Sequence, residues 1–147
     1  MARLPLQTNA RAGTIALVDG YRTAGGVNLG QVYRARPKVL KTPSVYIESI
    51  TEGAEGFTRE ENQRSVLVRL RVVWGQYDSG DSVDQRDRFV DGFYAYVADN
   101  GEDSFGANAD AVRWVGVTDN PDWVPEWIPD AEPKYMTEIT LGGFAST

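Results

Sequence analysis

The chain has 147 residues with no cysteine and no histidine, and it carries a formal net charge of −6. These numbers suit one domain, and they exclude a disulfide framework, thiolate or imidazole zinc sites, and serine–histidine or cysteine–histidine catalytic groups. The acidic balance also argues against a domain that binds nucleic acid through a basic face.

The absence of histidine limits the catalytic mechanisms available to the chain. Without the commonest general base near neutral pH, an enzyme would depend on carboxylates, a lysine or a hard metal such as Mg²⁺. We expect no enzyme, no cofactor and no metal. The chain has no apolar run of the ~18 residues that a transmembrane helix needs, and its start lacks the apolar core of a secretory leader. We therefore expect a cytoplasmic protein that does not enter a membrane.

The first predicted element is a helix from about Ala10 to Thr23, which Thr8 or Asn9 would cap after a short N-terminal arm. Small and apolar side chains recur on one helical face. They are Ala10, Thr14, Leu17, Val18 and Tyr21. The glycines at 25 and 26 are predicted to end this helix.

A short extended piece at 31–34 leads into a proline-rich segment that ends at Pro43, and a strand is predicted over 44–50. The proline-rich segment carries four basic residues, Arg34, Arg36, Lys38 and Lys41. One interpretation is a contact with a neighbouring subunit, because the prolines stiffen the segment and lower the cost of ordering it. The other interpretation is a solvated loop.

Acidic residues are frequent in the next segment, 51–62, which is predicted to be a long hairpin tip. They are Glu52, Glu55, Glu60 and Glu61. The tip is either a docking surface or lumen lining, or a flexible charged loop with two glycines. A catalytic carboxylate pair is not expected, because a solvated loop provides no rigid pocket that would raise one pKa.

The clearest strand is predicted from about Gln63 to Tyr77. Its alternate positions are wholly apolar and predict one core-facing side: Val66, Val68, Leu70, Val72 and Trp74. The other face carries Arg69 and Arg71, so it is either partly exposed to water or in contact with an acidic partner.

A second helix is predicted to begin at a capping box made by Ser82 and Gln85 and to end near 99–101. Its apolar stripe is made of residues at helical spacing: Val83, Arg86, Val90, Phe93 and Val97, widened by Phe89 and Tyr96. Of the Arg86 side chain, only the aliphatic stem would pack on that stripe.

Two strands are predicted near the end of the chain, over 111–118 and 134–141, followed by a short tail. Between them, residues 120–133 contain four prolines, which forbid regular structure across most of this insertion. Its Trp123 and Trp127 either cover the core of their own domain or anchor an interface. The backbone fixed by the prolines favours the interface.

Together these elements follow the order α-β-β-β-α-β-β. This order predicts one α+β domain over 1–147, with a mostly antiparallel β-sheet and both helices packed on one face.

The pattern resembles the tail terminator, or tail completion, proteins of bacteriophages with long non-contractile tails. The resemblance runs through nearly the whole chain and lies in length, element order and patterning. It comprises the first helix, the Val32–Pro37 segment, the strand that follows Pro43, the acidic hairpin, the Val66–Val72 strand, the capped second helix and the two C-terminal strands.

The resemblance implies a structural virion protein at the tail–neck junction. Such a protein forms a homo-oligomer, a hexameric ring on the finished tail tube, which ends tube polymerisation and achieves head–tail joining to the connector. DNA would pass through an acidic lumen without specific binding. The alternatives are a neck or head-closure protein of the same virion, and a standalone acidic binding module.

Overall fold

A computed structural model of the chain describes residues 6–25, 31–55, 63–75, 80–100 and 113–146. In chain order its elements are α1 (Leu6–Gly25), β1 (Gln31–Tyr33), β2 (Ser44–Glu55), β3 (Gln63–Gly75), α2 (Gly80–Asn100), β4 (Arg113–Trp123) and β5 (Lys134–Ser146). The predicted α+β class and the predicted order of helices and strands are confirmed.

The five strands form one sheet in the order β1-β2-β3-β5-β4. The pairs β2–β3, β3–β5 and β5–β4 are antiparallel, and only the short β1 lies parallel to its neighbour β2. The sheet is therefore mostly antiparallel, as predicted. β5 lies between β3 and β4, although β5 comes after both of them in the chain.

Both helices cover one face of this sheet, here termed the helix side, and the opposite face is termed the outer face. The core between helices and sheet contains most of the predicted stripes of α1 and α2 and the whole stripe of β3, together with Tyr135, Ile139 and Leu141 from β5, whereas Val83 of the predicted α2 stripe is exposed. The helical and alternating patterns thus identified most of the core correctly. Neither described helix has the length and apolar character needed to cross a membrane.

The two helices touch through a reciprocal pair of glycine–tyrosine contacts. The Tyr21 ring of α1 lies against Gly92 of α2, where an added Cβ would lie 3.2 Å from Cζ and would collide with the hydroxyl. In return, the Tyr96 hydroxyl would lie 2.6 Å from a Cβ added at Gly20. The Tyr21 hydroxyl also donates a hydrogen bond to the carbonyl oxygen of Phe89 at 3.1 Å. Because neither Gly20 nor Gly92 has a side chain, the two helices can pack closely at these positions.

We expect Gly92→Ala to lower the free energy of unfolding by about 1–3 kcal/mol through overpacking. The better helix propensity of alanine does not compensate, because the buried Tyr21 has no room to withdraw. Gly20→Ala is the matched control, since the half-buried Tyr96 can swing outward at smaller cost. Urea unfolding of both variants measures the difference, and equal losses of stability would contradict this account.

Both helices begin earlier than predicted, so the predicted caps are wrong. Thr8 and Asn9 lie inside α1, and Ser82 lies inside α2. Tertiary contacts override the capping signals: the α1 residue Gln7 donates a hydrogen bond to Glu52 of β2, and Ser82 is buried beside Gly75.

β2, β4 and β5 extend beyond their predicted ends. Residues 51–55, predicted as part of the hairpin tip, continue β2 and pair with β3 as far as Glu55↔Gln63. Residues 142–146, predicted as a tail, continue β5. The physical reason is that β3 offers ladder hydrogen bonds on both of its sides, which order polar and glycine-rich stretches next to it. The rest of the hairpin tip, 56–62, and the predicted strand ends at 76–77 and 111–112 lie outside the described residues.

The irregular insertion also begins later than predicted, because β4 continues through Pro121 to Trp123. β4 is an edge strand, where a proline is tolerated because its missing N–H can lie on the side without a neighbouring strand. The pairing of β4 with β5 also shifts register between Asn120 and Trp123. Residues 124–133 are irregular, as predicted.

Candidate functional site

The end of β4 and the segment that follows it place two tryptophans on the outer face of the sheet. Trp123 is only 8% exposed, and its ring centre lies 5.6 Å from that of the half-buried Trp127. A second small core forms on this face and contains Tyr46, Val73, Trp123 and Met136. Val73, which alternation places on the same face of β3 as Arg69 and Arg71, is fully buried, so this part of the face is not exposed to water.

The proline-rich segment 34–43 reaches the same place from the other edge of the sheet. Trp127 Nε1 donates a hydrogen bond to the carbonyl oxygen of Pro37 at 3.0 Å, and Leu40 packs against the outer-face core. The Arg36 guanidinium lies 4.8 Å from the centre of the Trp127 ring, a cation–π geometry. The two segments predicted as separate surfaces thus meet, and we term segments 34–43 and 123–133 together the outer layer.

Four charged side chains connect this outer layer to the sheet. Arg36 Nε donates to Glu48 Oε2 at 2.9 Å, and Arg36 Nη2 contacts the other oxygen of the same carboxylate. Arg71 Nη1 lies 3.3 Å from Glu48 Oε2, while Arg71 Nε lies 3.3 Å from Glu138 Oε2. The Glu48 carboxylate therefore bridges two guanidinium groups, one in the outer layer and one on β3.

The electrostatics of this network favour the ionised forms of Arg36, Glu48 and Arg71. The hydrogen bond from Arg36 holds the pKa of Glu48 below its ordinary value of 4.5, and the charge of Arg71 lowers it further against the effect of burial. Burial alone would lower the pKa of Arg71, but Tyr46, Glu48 and Glu138 raise it overall. Burial also raises the pKa of the Tyr46 hydroxyl. The network is thus built for permanent charge pairing.

We expect Glu48→Gln to lower the free energy of unfolding by about 1–3 kcal/mol at neutral pH, because Arg71 loses its shared carboxylate. The folded pKa of Glu48 lies below the unfolded one. Its ionised form therefore stabilises the fold above the unfolded pKa, and this contribution is lost as the pH falls through the folded pKa.

The stability difference between parent and Glu48→Gln should therefore shrink at pH values below 4.5, the ordinary pKa of the group. Urea unfolding across this range measures it, and Glu132→Gln, at an exposed position, is the control with no expected effect. A difference that stays constant down to acid pH would contradict the bridging role of Glu48.

A cleft of about 490 Å³ opens in the outer layer. Its walls include Arg36, Arg71, Trp123, Glu126 and Trp127. Both guanidinium groups that line the cleft are already paired with carboxylates of the sheet.

A polar chain on the helix side ties three strands to α2. Trp74 Nε1 donates to Thr137 Oγ1 at 2.9 Å, and Thr137 Oγ1 donates to Asp119 Oδ1 at 2.7 Å. Arg86 Nη2 donates to Asp119 Oδ2 at 2.7 Å, so its guanidinium takes part as well as its stem. The Asp119 carboxylate thus joins α2 to the edge strand β4.

The remaining basic candidates lie on the surface. Arg34, Lys38 and Lys41 are exposed on the proline-rich segment, and Arg11 of α1 donates to the carbonyl oxygen of Arg34. Arg69 is exposed on the outer face. The structure therefore gathers Arg36, Arg71 and the two tryptophans into one cluster and leaves these four cations facing solvent.

The acidic candidates are divided between β2 and the hairpin tip. Glu52 is partly buried and accepts a hydrogen bond from Gln7 Nε2 at 3.4 Å. The side chain of Glu55 and the whole of Glu60 and Glu61 lie outside the described residues. A docking or lumen role for this group stays a prediction, as does an interface role for Trp123 and Trp127.

Sequence reasoning missed Glu48 and Glu138, which complete the charged network. For Glu138 the signal was cross-strand pairing, because it lies directly opposite Arg71. Glu48 lies at the register shift between Ile47 and Ser49 and has no partner of this kind. The cross-strand signal becomes readable only once the register is known, and α2 and β4 separate β3 from β5 in the chain.

Comparison with known proteins provides no further guide, since neither a protein-family model nor a curated protein matches this chain. Across the described ranges, histidine, cysteine and carboxylate side chains form no group of three or more that is placed to hold a metal ion.

Proposed function

We propose that this chain is a structural subunit of a bacteriophage tail. It is a tail terminator that forms a ring on the tail tube, ends tube polymerisation and joins the tail to the head-side connector. One observation carries the proposal: the helices and strands follow the order α-β-β-β-α-β-β around a single mostly antiparallel sheet, with both helices on one face. This is the arrangement that the resemblance implies along nearly the whole chain.

The surface of the described residues supports a protein that assembles. β4 is a free edge of the sheet, and Val115 and Val117 on it are exposed. Beside this edge, the exposed Tyr94 of α2 packs against Trp114 of β4, with ring centres 5.6 Å apart. Single exposed apolar residues are ordinary, but a group of them along one edge is typical of an interaction surface.

The directions of the pKa shifts among the described residues agree with the proposed structural role. A general acid or base needs a pKa moved toward the working pH, whereas each resolved shift here moves the pKa away from neutrality. The pKa is raised for Tyr21, Tyr46, Tyr135, Arg36, Arg71 and Arg86, and it is lowered for Glu48.

The net charge supports the passage of DNA through the ring. Each subunit contributes −6, so a ring of several copies is strongly acidic. An acidic wall repels the phosphate backbone and disfavours specific or tight binding of DNA.

The test is the molar mass of the purified chain by light scattering, followed by electron microscopy after mixing with purified tail tubes. We expect a ring in solution, or a cap at one end of each tube. A chain that stays monomeric and leaves both tube ends bare contradicts the proposal. Attachment to the connector, with no binding to tubes, would instead favour the neck or head-closure alternative.

A further inference from the structure

Part of the proline-rich segment projects an apolar side chain between two positive charges. Val39 is 69% exposed, the largest exposed fraction among the large hydrophobic residues described. Lys38 and Lys41 flank it and are also exposed. We term residues 38–41 the basic loop. Its backbone is held from behind by the Trp127 contact with Pro37 and by the packing of Leu40.

A second surface, where α2 runs beside β4, combines exposed apolar groups with carboxylates. Tyr94 is 57% exposed, and Val117 lies on the neighbouring edge strand. Asp87 and Asp91 precede Tyr94 on α2 and are exposed, and Asp87 also forms an ion pair with the neighbouring Arg86 at 3.1 Å. We term Tyr94, Val117, Asp87 and Asp91 the acidic edge. Together, α2 and β4 contain seven acidic residues and three basic ones, whereas residues 31–43 contain four basic residues and no acidic one.

These two surfaces lie on opposite sides of the molecule. The sheet lies between them, because Leu40 of the basic loop packs on the outer face, whereas Tyr94 of the acidic edge packs against Trp114 on the helix side. Because the basic loop is anchored to the sheet, it cannot reach the acidic edge of its own chain, whereas a second copy can present one surface to the other.

We propose that the basic loop of one copy docks on the acidic edge of the next, and that this head-to-tail contact is the interface that builds the ring. In the contact Val39 packs against Tyr94 and Val117, while the two lysines approach the two aspartates. A cyclic assembly needs two different surfaces of this kind on every subunit, because its contacts are heterologous. The inference rests on the proposed function, because the ring is part of that function. The contact itself involves only copies of this chain and does not depend on the tail tube.

The chemistry of the contact sets its salt dependence. Exposed ion pairs are individually weak and are screened by salt, while the apolar pair in their centre is less sensitive. Charge pairing here mainly selects the correct register and accelerates association. We therefore expect assembly to weaken with added salt, and Val39→Asp to abolish it while leaving the fold of the single chain intact.

The decisive variants reverse the charge of each surface separately. Lys38→Glu/Lys41→Glu and Asp87→Lys/Asp91→Lys should each weaken self-association about tenfold or more, as measured by sedimentation and light scattering. The matched control is Asp19→Lys/Asp99→Lys, which makes the same charge change at exposed helix positions away from the acidic edge and should assemble like the parent. Circular dichroism and urea unfolding establish that all three variants fold.

Mixing the two reversed variants provides the strongest test. In an equimolar mixture every contact between unlike variants pairs opposite charges again, so assembly should return, with both variants in equal amounts. If either variant assembles as well as the parent, or if the mixture fails to assemble when the parent does, the proposed contact is wrong.

The two proposals fail in different ways. A parent that assembles through this contact but never caps a tail tube supports the contact and contradicts the tail-terminator function. A variant with only one of the two surfaces reversed that still caps tubes as well as the parent contradicts the contact and leaves the function standing. A parent that assembles neither alone nor on tubes contradicts both.

Discussion

Replacing Phe89 with alanine is expected to lower the free energy of unfolding by about 3–5 kcal/mol. Phe89 is fully buried on α2, and its ring centre lies 5.3 Å from that of Tyr21 and 5.5 Å from that of Trp74. It also lies 5.2 Å from the ring centre of Phe93. Phe89 thus joins α1, α2 and the sheet. Its removal leaves a cavity that these rigid rings cannot fill. The loss of stability therefore comes both from the apolar area that is no longer buried and from the packing contacts that are lost.

Urea unfolding measures this loss, and Tyr94→Ala provides the control on the same helix. Tyr94 is largely exposed and packs only against Trp114 among the described aromatic rings, so we expect it to cost less than about 1 kcal/mol. The control should still weaken self-association if the acidic edge is an interface. Similar stability losses for the two variants would show that the aromatic core is not organised around Phe89.

The second large effect is expected for Trp123→Ala, which should lower the free energy of unfolding by about 3 kcal/mol. Trp123 is nearly buried on the outer face, between Trp127 and the Arg71 guanidinium, which lies 5.9 Å from the centre of its ring. This result separates the two interpretations of the tryptophan-rich segment. An indole that covers its own sheet stabilises the single chain, whereas an interface anchor affects only assembly.

Two neighbouring variants sharpen this test. Trp127→Phe keeps an aromatic ring in the outer layer but removes the hydrogen bond to Pro37, and we expect a loss of about 1 kcal/mol. Val124→Ala changes an exposed residue of the same segment and should be nearly neutral. If Trp123→Ala leaves the unfolding of the unassembled chain unchanged, the outer layer does not stabilise the domain.

The parts of the fold that the sequence predicts well are those with local periodicity. Five alternating apolar positions identified the core face of β3, and all of them are buried. The stripe of α2 was similarly readable, although Val83 at its start is exposed and faces away from the core. In both cases one buried face imposes a period of 2 or 3.6 on the residues themselves, so no knowledge of the partner element is needed.

The outer layer was not predictable from the same signals. It depends on a contact between Trp127 and Pro37, which are 90 residues apart, and on charge pairs that exist only in the correct register. The sequence therefore identified Arg36, Arg71, Trp123 and Trp127 individually without indicating that they form one cluster. Element ends were missed for a related reason, because pairing with β3 extended β2 and β5 through residues with little strand propensity of their own.

The position of β5 has a consequence for the order in which the chain folds during synthesis. β3 leaves the ribosome about 70 residues before β5 does, at the 5–20 residues per second typical of translation. Until residues 134–146 emerge, β3 has a partner on only one side and β4 has none in the sheet. The free edge at β4 is therefore created last, by the strand that completes the sheet. A nascent chain therefore cannot present that edge to any partner before residues 134–146 have paired in the sheet.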